Sequence, residues 1–248
     1  MTPPTSKYGP LHALTAGAVL VYIILSRGFA AFWNQFLHGM DINISEENIL
    51  PFLCTNTLLF GGLFLILWIS TFFGRARSSH WDNGHLARCD QNWDNGRLAR
   101  CVRITLLSAL PICLIALGLN WASGELLSRL TDLDLSDQDL VKFITSNTLS
   151  LRSKVLLFLF LLIEAPVLEE LLFRGVLFGG LTKIMPVWPA IILSGLLFAV
   201  IHVNAATLIP LWFLGVAFAW LYVRTGTLLA PMTVHMTFNA VNLVSCLL

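Results

Sequence analysis

Charged residues are scarce in this sequence: 12% of its 248 residues are Asp, Glu, Lys or Arg, while 56% are hydrophobic. Soluble globular domains carry about 25% charged residues, so this shortage excludes most soluble folds. The 15 basic and 14 acidic side chains leave a formal net charge of +1. This balance provides no basic face, which excludes a nucleic-acid-binding module, and the apolar composition excludes a disordered chain.

Strand-like alternation is also missing, because the apolar residues form runs of roughly 17 to 22 residues instead of alternating at every second position. In a bilayer only helices and closed barrels satisfy their backbone polar groups, and runs of this length are typical of helices. The sequence therefore predicts an all-α, polytopic transmembrane helical bundle of about seven to eight spans. The candidate spans are residues 11–33, 52–73, 104–122, 155–184, 187–204, 207–223 and 228–247.

We divide the chain at residue 150. Residues 1–150 are predicted to hold N-terminal transmembrane helices and a basic loop, in which Trp81–Cys89 recurs as Trp93–Cys101. The Asp-Asn-Gly in each copy predicts two short turn-plus-helix units in a solvated loop. The arginines of residues 74–103 place this loop in the cytoplasm by the positive-inside rule. Basic residues after position 150 fall at both ends of successive spans, so the orientation of the C-terminal half stays open.

Cysteine patterns that would indicate a disulfide framework or a zinc site are absent, because the five cysteines show no Cys-x-x-Cys spacing. Residues 151–248 form the second predicted domain. Its first apolar run is too long for one straight crossing and contains Pro166, so a kink or a break is expected there.

Only six charged residues follow position 155, and ionisable groups within a bilayer are functional by default because their burial is costly. Glu170 and Arg174 are four residues apart, so they can pair on one face of a helix. Glu169 then points about 100° away from that pair. The alternative is a charge-neutral clamp between helices. The six residues are Glu164, Glu169, Glu170, Arg174, Lys183 and Arg224.

Two histidines share this half of the chain with the carboxylates. If the chain reverses near residues 185–186, an antiparallel hairpin brings His202 to the depth of Glu169. After a second turn at residues 224–226, His235 lies nearer to mid-bilayer, with Asn239 one helical turn later on the same face. Glu and His together can activate a water for attack on a carbonyl, while His and Asn can donate hydrogen bonds to the oxyanion. This combination predicts peptide hydrolysis without a covalent intermediate.

Other intramembrane protease chemistries lack their residues in this chain. There is no His-Glu-x-x-His for a zinc site, and no Asp follows Asp139 for an aspartyl dyad. Ser194-Gly195 lacks the glycine two residues earlier that a rhomboid-type serine motif has.

Three motifs in order resemble the CPBP intramembrane proteases, also called the ABI or CAAX prenyl protease type II family. They are Glu-Glu-x-x-x-Arg at Glu169, Glu170 and Arg174, Phe-x-x-x-His at Phe198 and His202, and His-x-x-x-Asn at His235 and Asn239. The resemblance covers about residues 155 to 245. It implies a membrane-embedded endopeptidase in which Glu169 and His202 activate water and His235 and Asn239 stabilise the oxyanion. Glu170 and Arg174 would orient this site, with Phe198 in a supporting role.

The resemblance also sets the expected partners and location. Eukaryotic members remove the last three residues of prenylated CAAX proteins, and bacterial members are linked to bacteriocin maturation or self-immunity. We expect contact with membrane lipid and with a membrane-associated protein or peptide substrate, in a multi-pass protein of a prokaryotic plasma membrane. No cofactor is expected, although two His and one Glu could hold zinc by ligand type. The alternatives are a non-catalytic membrane scaffold or self-immunity protein, and a transporter that uses the same ionisable residues.

Overall fold

The computed structural model describes residues 95–130, 150–202 and 204–247, and every regular element in these ranges is helical. An all-α architecture is therefore confirmed for the described part of the chain. Two of the predicted spans, residues 11–33 and 52–73, lie outside these ranges, as does the first copy of the repeat. The second copy contributes residues 95–101, which form the first turns of a long helix.

Five helical stretches make up the described structure. The first is α1, Asn95–Leu130, and the second is a continuous helix over residues 151–181 that we term the irregular helix. The others are α5, Val187–Val200; α6, Leu208–Thr225; and α7, Leu229–Leu247. The irregular helix comprises α2 (Leu151–Leu159), a π-helical segment π1 (Phe160–Glu164), α3 (Ala165–Glu170), a second π-helical segment π2 (Leu171–Phe178) and α4 (Gly179–Leu181).

The irregular helix does not break at Pro166, contrary to one of the expectations from the sequence. Instead, its hydrogen bonds change register just before the proline, since the Ala165 N–H donates to the carbonyl of Phe160, five residues earlier. The next donor in this register would be residue 166, and proline has no N–H. The π-helical segment therefore ends at Glu164, and the chain continues as an α-helix.

Proline also marks where the last three helices begin. Pro189, Pro210 and Pro231 are each the third residue of their helix. Proline is tolerated in the first turn, where the backbone N–H has no partner within the helix. The predicted reversal near Met185-Pro186 is confirmed, because the irregular helix ends at Leu181 and α5 begins at Val187.

The second predicted turn is confirmed at the end of α6. Gly226 has φ 69°, a left-handed conformation that costs other residues energy, and its N–H donates to the carbonyl of Tyr222 at 2.8 Å. Helix α7 then starts three residues later.

Helix α6 lies at the centre of the described bundle. One of its faces packs on α1 and α7 through buried apolar side chains such as Cys113, Phe218 and Val234. An adjacent face contacts α5 at Gly195 and Gly215, where a Cβ built on Gly215 would lie 2.7 Å from the Gly195 Cα. Only glycine permits two backbones to approach this closely, so this pair sets the crossing of α5 and α6.

Two hydrogen bonds define the relative directions of α1 and α6. Near the start of α1, Cys101 Sγ donates to the carbonyl of Thr225 at 3.4 Å, and near its end Ser123 Oγ donates to the carbonyl of Ala206 at 2.6 Å. Helices α1 and α6 are therefore antiparallel, and the 204–207 loop lies at the opposite end of the bundle from the turn at residues 225–228.

Two of the described helical segments are long and apolar enough to cross a membrane, Leu98–Leu130 and Leu208–Thr225. Helix α5 is apolar but shorter. The total of seven to eight spans stays a prediction.

Candidate active site

The Glu-Glu-x-x-x-Arg motif contains a buried ion pair. Arg174 Nη1 donates to Glu170 Oε1 at 2.8 Å, and neither side chain is exposed to solvent. The pairing at four-residue spacing is thus as predicted. Arg174 Nη2 also donates to the carbonyl of Gly215 at 2.9 Å. This bond links the irregular helix to α6 at the residue where α6 touches α5.

His235 brings α7 to the same carboxylate. Its Nδ1 lies 3.0 Å from Glu170 Oε1, and its side chain is 6% exposed. Because a carboxylate oxygen accepts, Nδ1 is the nitrogen that donates its proton here. Glu170 Oε1 therefore accepts from two helices at once. Its other oxygen, Oε2, and Arg174 Nε are buried and have no hydrogen-bond partner among the described residues.

Glu169 lies beside this cluster and is the more exposed of the two carboxylates. Its side chain is 26% exposed, and its Oε2 is 3.8 Å from Nε2 of His235. That separation exceeds hydrogen-bond distance, so the two groups face each other without a direct bond. A small polar group next to both could contact Glu169 and His235 together.

Three buried phenylalanines enclose the Arg174 guanidinium. Its carbon is 4.8 Å from the ring centroid of Phe198, 5.2 Å from that of Phe218 and 5.8 Å from that of Phe173. The negative faces of aromatic rings attract a cation at this range, and they exclude water from it. Phe218 also stacks on His235, with ring centroids 4.9 Å apart and an interplanar angle of 27°. The aromatic side chains thus orient the histidine as well as the arginine.

His202 lies in the turn that follows α5. Its Nδ1 is 2.7 Å from the carbonyl of Phe198, and its ring is 4.9 Å from the Phe198 ring. A carbonyl can only accept, so Nδ1 carries the proton and, in the neutral imidazole, Nε2 carries the lone pair. The Phe198 ring centroid is also 5.8 Å from that of His235, so this ring contacts both histidines.

Asn239 projects from α7 one turn after His235. Its Nδ2 donates to the carbonyl of Leu161 in π1 at 3.0 Å. The sequence placed His235 and Asn239 on one face of a helix, and both side chains do contact the irregular helix. One of the two N–H groups of the Asn239 amide is occupied by this bond.

Sequence reasoning missed three contributors to this arrangement. Phe173 and Phe218 look like ordinary core residues in apolar runs, and nothing in their spacing distinguishes them from the other phenylalanines. Gly215 offers a weak signal, because a glycine inside an apolar helix is typical of close helix packing. No sequence pattern predicts the hydrogen bond that its carbonyl accepts from Arg174.

Metal-ligating side chains do not converge in the described ranges: no group of three or more His, Cys, Asp and Glu residues there is arranged to hold a metal ion. Glu170 Oε1 and His235 Nδ1 are engaged with each other, and the Glu170 oxygen also accepts from Arg174. A zinc site requires three or four ligand atoms turned toward one point, and no such group is found among the described residues.

The C-terminal part of the chain is similar to known proteins. Residues 151–241 match the family model described as "Type II CAAX prenyl endopeptidase Rce1-like". Among curated proteins, the chain is 32% identical over 77 residues to the putative membrane peptidase YdiL of Bacillus subtilis (strain 168), which is 31% of this chain and 32% of the relative. It is 36% identical over 103 residues to the membrane-embedded CAAX protease MroQ of Staphylococcus aureus (strain USA300), which is 38% of this chain and 41% of that relative.

These alignments cover less than half of the length of either relative. No solved structure matches the chain. The matched residues 151–241 of this chain nevertheless include all three motifs. The family resemblance that the motifs indicated is therefore confirmed over residues 151–241, which match the Rce1-like type II CAAX prenyl endopeptidases.

Proposed function

We propose that this protein is a membrane-embedded endopeptidase that hydrolyses a peptide bond in a membrane-associated protein or peptide. The observation that carries the proposal is the partly exposed carboxylate of Glu169 beside a buried cluster of Glu170, Arg174 and His235. A charged cluster enclosed by aromatic rings is costly to bury, and such groups in membrane helices serve function by default. The protein would be multi-pass and would lie in a prokaryotic plasma membrane.

In the proposed reaction, Glu169 accepts a proton from a water molecule that attacks the carbonyl carbon of the scissile bond. His202 assists through Nε2, the nitrogen that carries its lone pair. The new C–O bond forms as the carbonyl electrons move to the oxygen, which becomes the oxyanion. When this intermediate collapses, the C–N bond breaks and the proton held by Glu169 passes to the leaving amine. One water is consumed, and a carboxylic acid and an amine are released.

The oxyanion would be stabilised by donors from α7. His235 can offer its Nε2–H when it is protonated, since Nδ1 already donates to Glu170. Asn239 can offer only the N–H that is not directed at Leu161. Glu170 and Arg174 act as positioning residues, because Glu170 holds His235 and Arg174 holds the backbone of Gly215.

The proposed mechanism passes no step through a metal ion, and it is supported by the absence of a metal-binding group of His, Cys, Asp and Glu among the described residues. Chelation with EDTA or phenanthroline is accordingly expected to leave hydrolysis unchanged. A loss of activity that added zinc restores would contradict the metal-free mechanism, while leaving the assignment to a peptidase in place.

The decisive test is Glu169→Gln, which keeps the size of the side chain and removes the base. We expect the rate of hydrolysis to fall about 10²- to 10⁴-fold, the usual contribution of a general base. Glu164→Gln is the matched control, because Glu164 is a half-buried carboxylate on the same helix outside the cluster. Since the substrate is unknown, membrane-associated peptides of a strain carrying Glu169→Gln should be compared with those of its parent. Accumulation of one uncleaved precursor would identify the substrate, and unchanged peptide sets would contradict the proposal.

A non-catalytic membrane scaffold is the second candidate, and one observation favours it. The hydrogen bonds of Glu170 and Arg174 tie three helices together, as a structural clamp would. Under this alternative, Glu169→Gln and His202→Ala would change only abundance or thermal stability. Loss of cleavage at an unchanged melting temperature would exclude it.

A further inference from the structure

The carbonyl of Leu161 receives no hydrogen bond from a backbone N–H of its own helix in either the α-helical or the π-helical register. In an α-helix Ala165 would donate to it, but the Ala165 N–H is directed to the carbonyl of Phe160 instead. In the π register residue 166 would donate to it, but that residue is proline and has no N–H. A backbone carbonyl away from water needs a partner, so this one requires a donor from another part of the structure.

Asn239 is that donor, with Nδ2 at 3.0 Å from the Leu161 carbonyl. The same helix carries His235 one turn earlier, with Nδ1 at 3.0 Å from Glu170. Helix α7 is therefore attached to the irregular helix at two points, one on each side of Pro166. Two attachments along one helix define its rotation about its own axis, which a single contact does not.

We propose that Pro166 and Asn239 are a matched pair: the side-chain amide of Asn239 replaces the N–H that Pro166 lacks, and so holds α7 in the rotation that places His235 on Glu170. Asn239 is in this respect a positioning residue. This inference depends on the backbone register and not on the proposed hydrolysis. It concerns the Asn239 N–H that donates to Leu161, which is not the N–H proposed to bind the oxyanion.

A double-mutant cycle with Asn239→Leu and Pro166→Ala tests the pairing, with the full-length protein purified in detergent. Asn239→Leu leaves the carbonyl without a partner, and we expect its melting temperature to fall by about 3 to 10 °C. Adding Pro166→Ala restores an N–H at position 166. The carbonyl then gains a donor in either register, from residue 166 or from Ala165, so the double variant should recover most of the loss.

Asn242→Leu is the matched control, because Asn242 is half-buried on the same helix and lies near the same end. It should change the melting temperature little. If Asn239→Leu does not accumulate, Asn239→Ala takes its place in the cycle, since its side chain offers no hydrogen-bond donor.

A separate measurement follows the position of His235. The ¹⁵N imidazole signals of histidine-labelled protein report the hydrogen bond between His235 and Glu170. Those signals should move in Asn239→Leu and return in the double variant. Additive effects in the cycle, or His235 signals that are unchanged in Asn239→Leu, would overturn the pairing. Hydrolysis measured on the same variants bears on the catalytic role alone: a double variant with restored stability and no activity supports the second N–H of Asn239 as an oxyanion donor.

Discussion

Two Glu–Arg pairs at the same four-residue spacing occur in the described helices, and their surroundings are opposite. Glu170 and Arg174 are fully buried, whereas the side chains of Glu125 and Arg129 are 45% and 74% exposed. Both pairs are closely spaced, at 2.8 and 2.7 Å. Spacing alone predicts each of them, but burial decides what each contributes. Removing one partner of the buried pair leaves the other as an unpaired charge away from water. Removing one partner of the exposed pair leaves a charge that water solvates.

We therefore expect Arg174→Met to destabilise the protein by about 3 to 5 kcal/mol, because Glu170 loses its cation and the Gly215 carbonyl loses its donor. Arg129→Met should leave the melting temperature nearly unchanged, because exposed pairs contribute little. Thermal unfolding in detergent compares the two directly. Equal shifts for both variants would mean that the Arg174 site is solvated, in contradiction to the buried geometry.

At the scale of the elements, the crossing of α5 and α6 depends on Gly195 and Gly215. A Cβ on Gly195 would lie 2.7 Å from the backbone nitrogen of Val216 and 2.8 Å from its Cγ2. Gly195→Ala should therefore separate the helices and destabilise the protein by about 1 to 3 kcal/mol, the usual cost of overpacking. It should also reduce hydrolysis, because the Gly215 carbonyl that binds Arg174 moves with α6.

Gly179→Ala is the control for this substitution, since a Cβ there meets nothing within 4 Å. Alanine favours a helix over glycine by up to about 1 kcal/mol, so Gly179→Ala should be neutral or slightly stabilising. If Gly195→Ala and Gly179→Ala had the same melting temperature, α5 and α6 would be able to separate without cost.

At the scale of the whole molecule, the two hydrogen bonds of α1 relate the loops of the C-terminal half to the basic start of α1. The start of α1, with Arg100 and Arg103, lies at the Thr225 end of α6. Phe178 packs on Tyr222 with ring centroids 6.0 Å apart, which brings the end of the irregular helix to that same end. Lys183 and Arg224 therefore share one end of the bundle with the basic residues of α1, an arrangement that the sequence left open.

The positive-inside rule predicts that this end faces the cytoplasm and that the 204–207 loop faces outward. Single cysteines at two exposed positions, Ile184→Cys at the basic end and Ala205→Cys at the other, test this in a background without the native cysteines. A membrane-impermeant maleimide should label Ala205→Cys in intact cells and Ile184→Cys only after permeabilisation. The reverse pattern would show that the bundle is inserted the other way round.

The sequence by itself determined the features that depend on local spacing and composition. Low charge content indicates the membrane class, the separation of Glu170 and Arg174 predicts their pairing, and Pro186 and Gly226 mark the chain reversals that the structure confirms. The three motifs indicate the family, and the family model matches residues 151–241. Each of these follows from neighbours along the chain, so no knowledge of helix packing is needed.

Only the tertiary structure decided which groups meet across helices. The π-helical segments change the rotation and rise of the irregular helix, so ideal α-helical geometry does not show that Asn239 binds the Leu161 carbonyl or that His235 binds Glu170. The burial of Arg174 among three phenylalanines depends likewise on how closely Gly195 lets α5 approach α6. Contacts between helices depend on their rotation, register and separation, and these quantities are set by packing between distant residues.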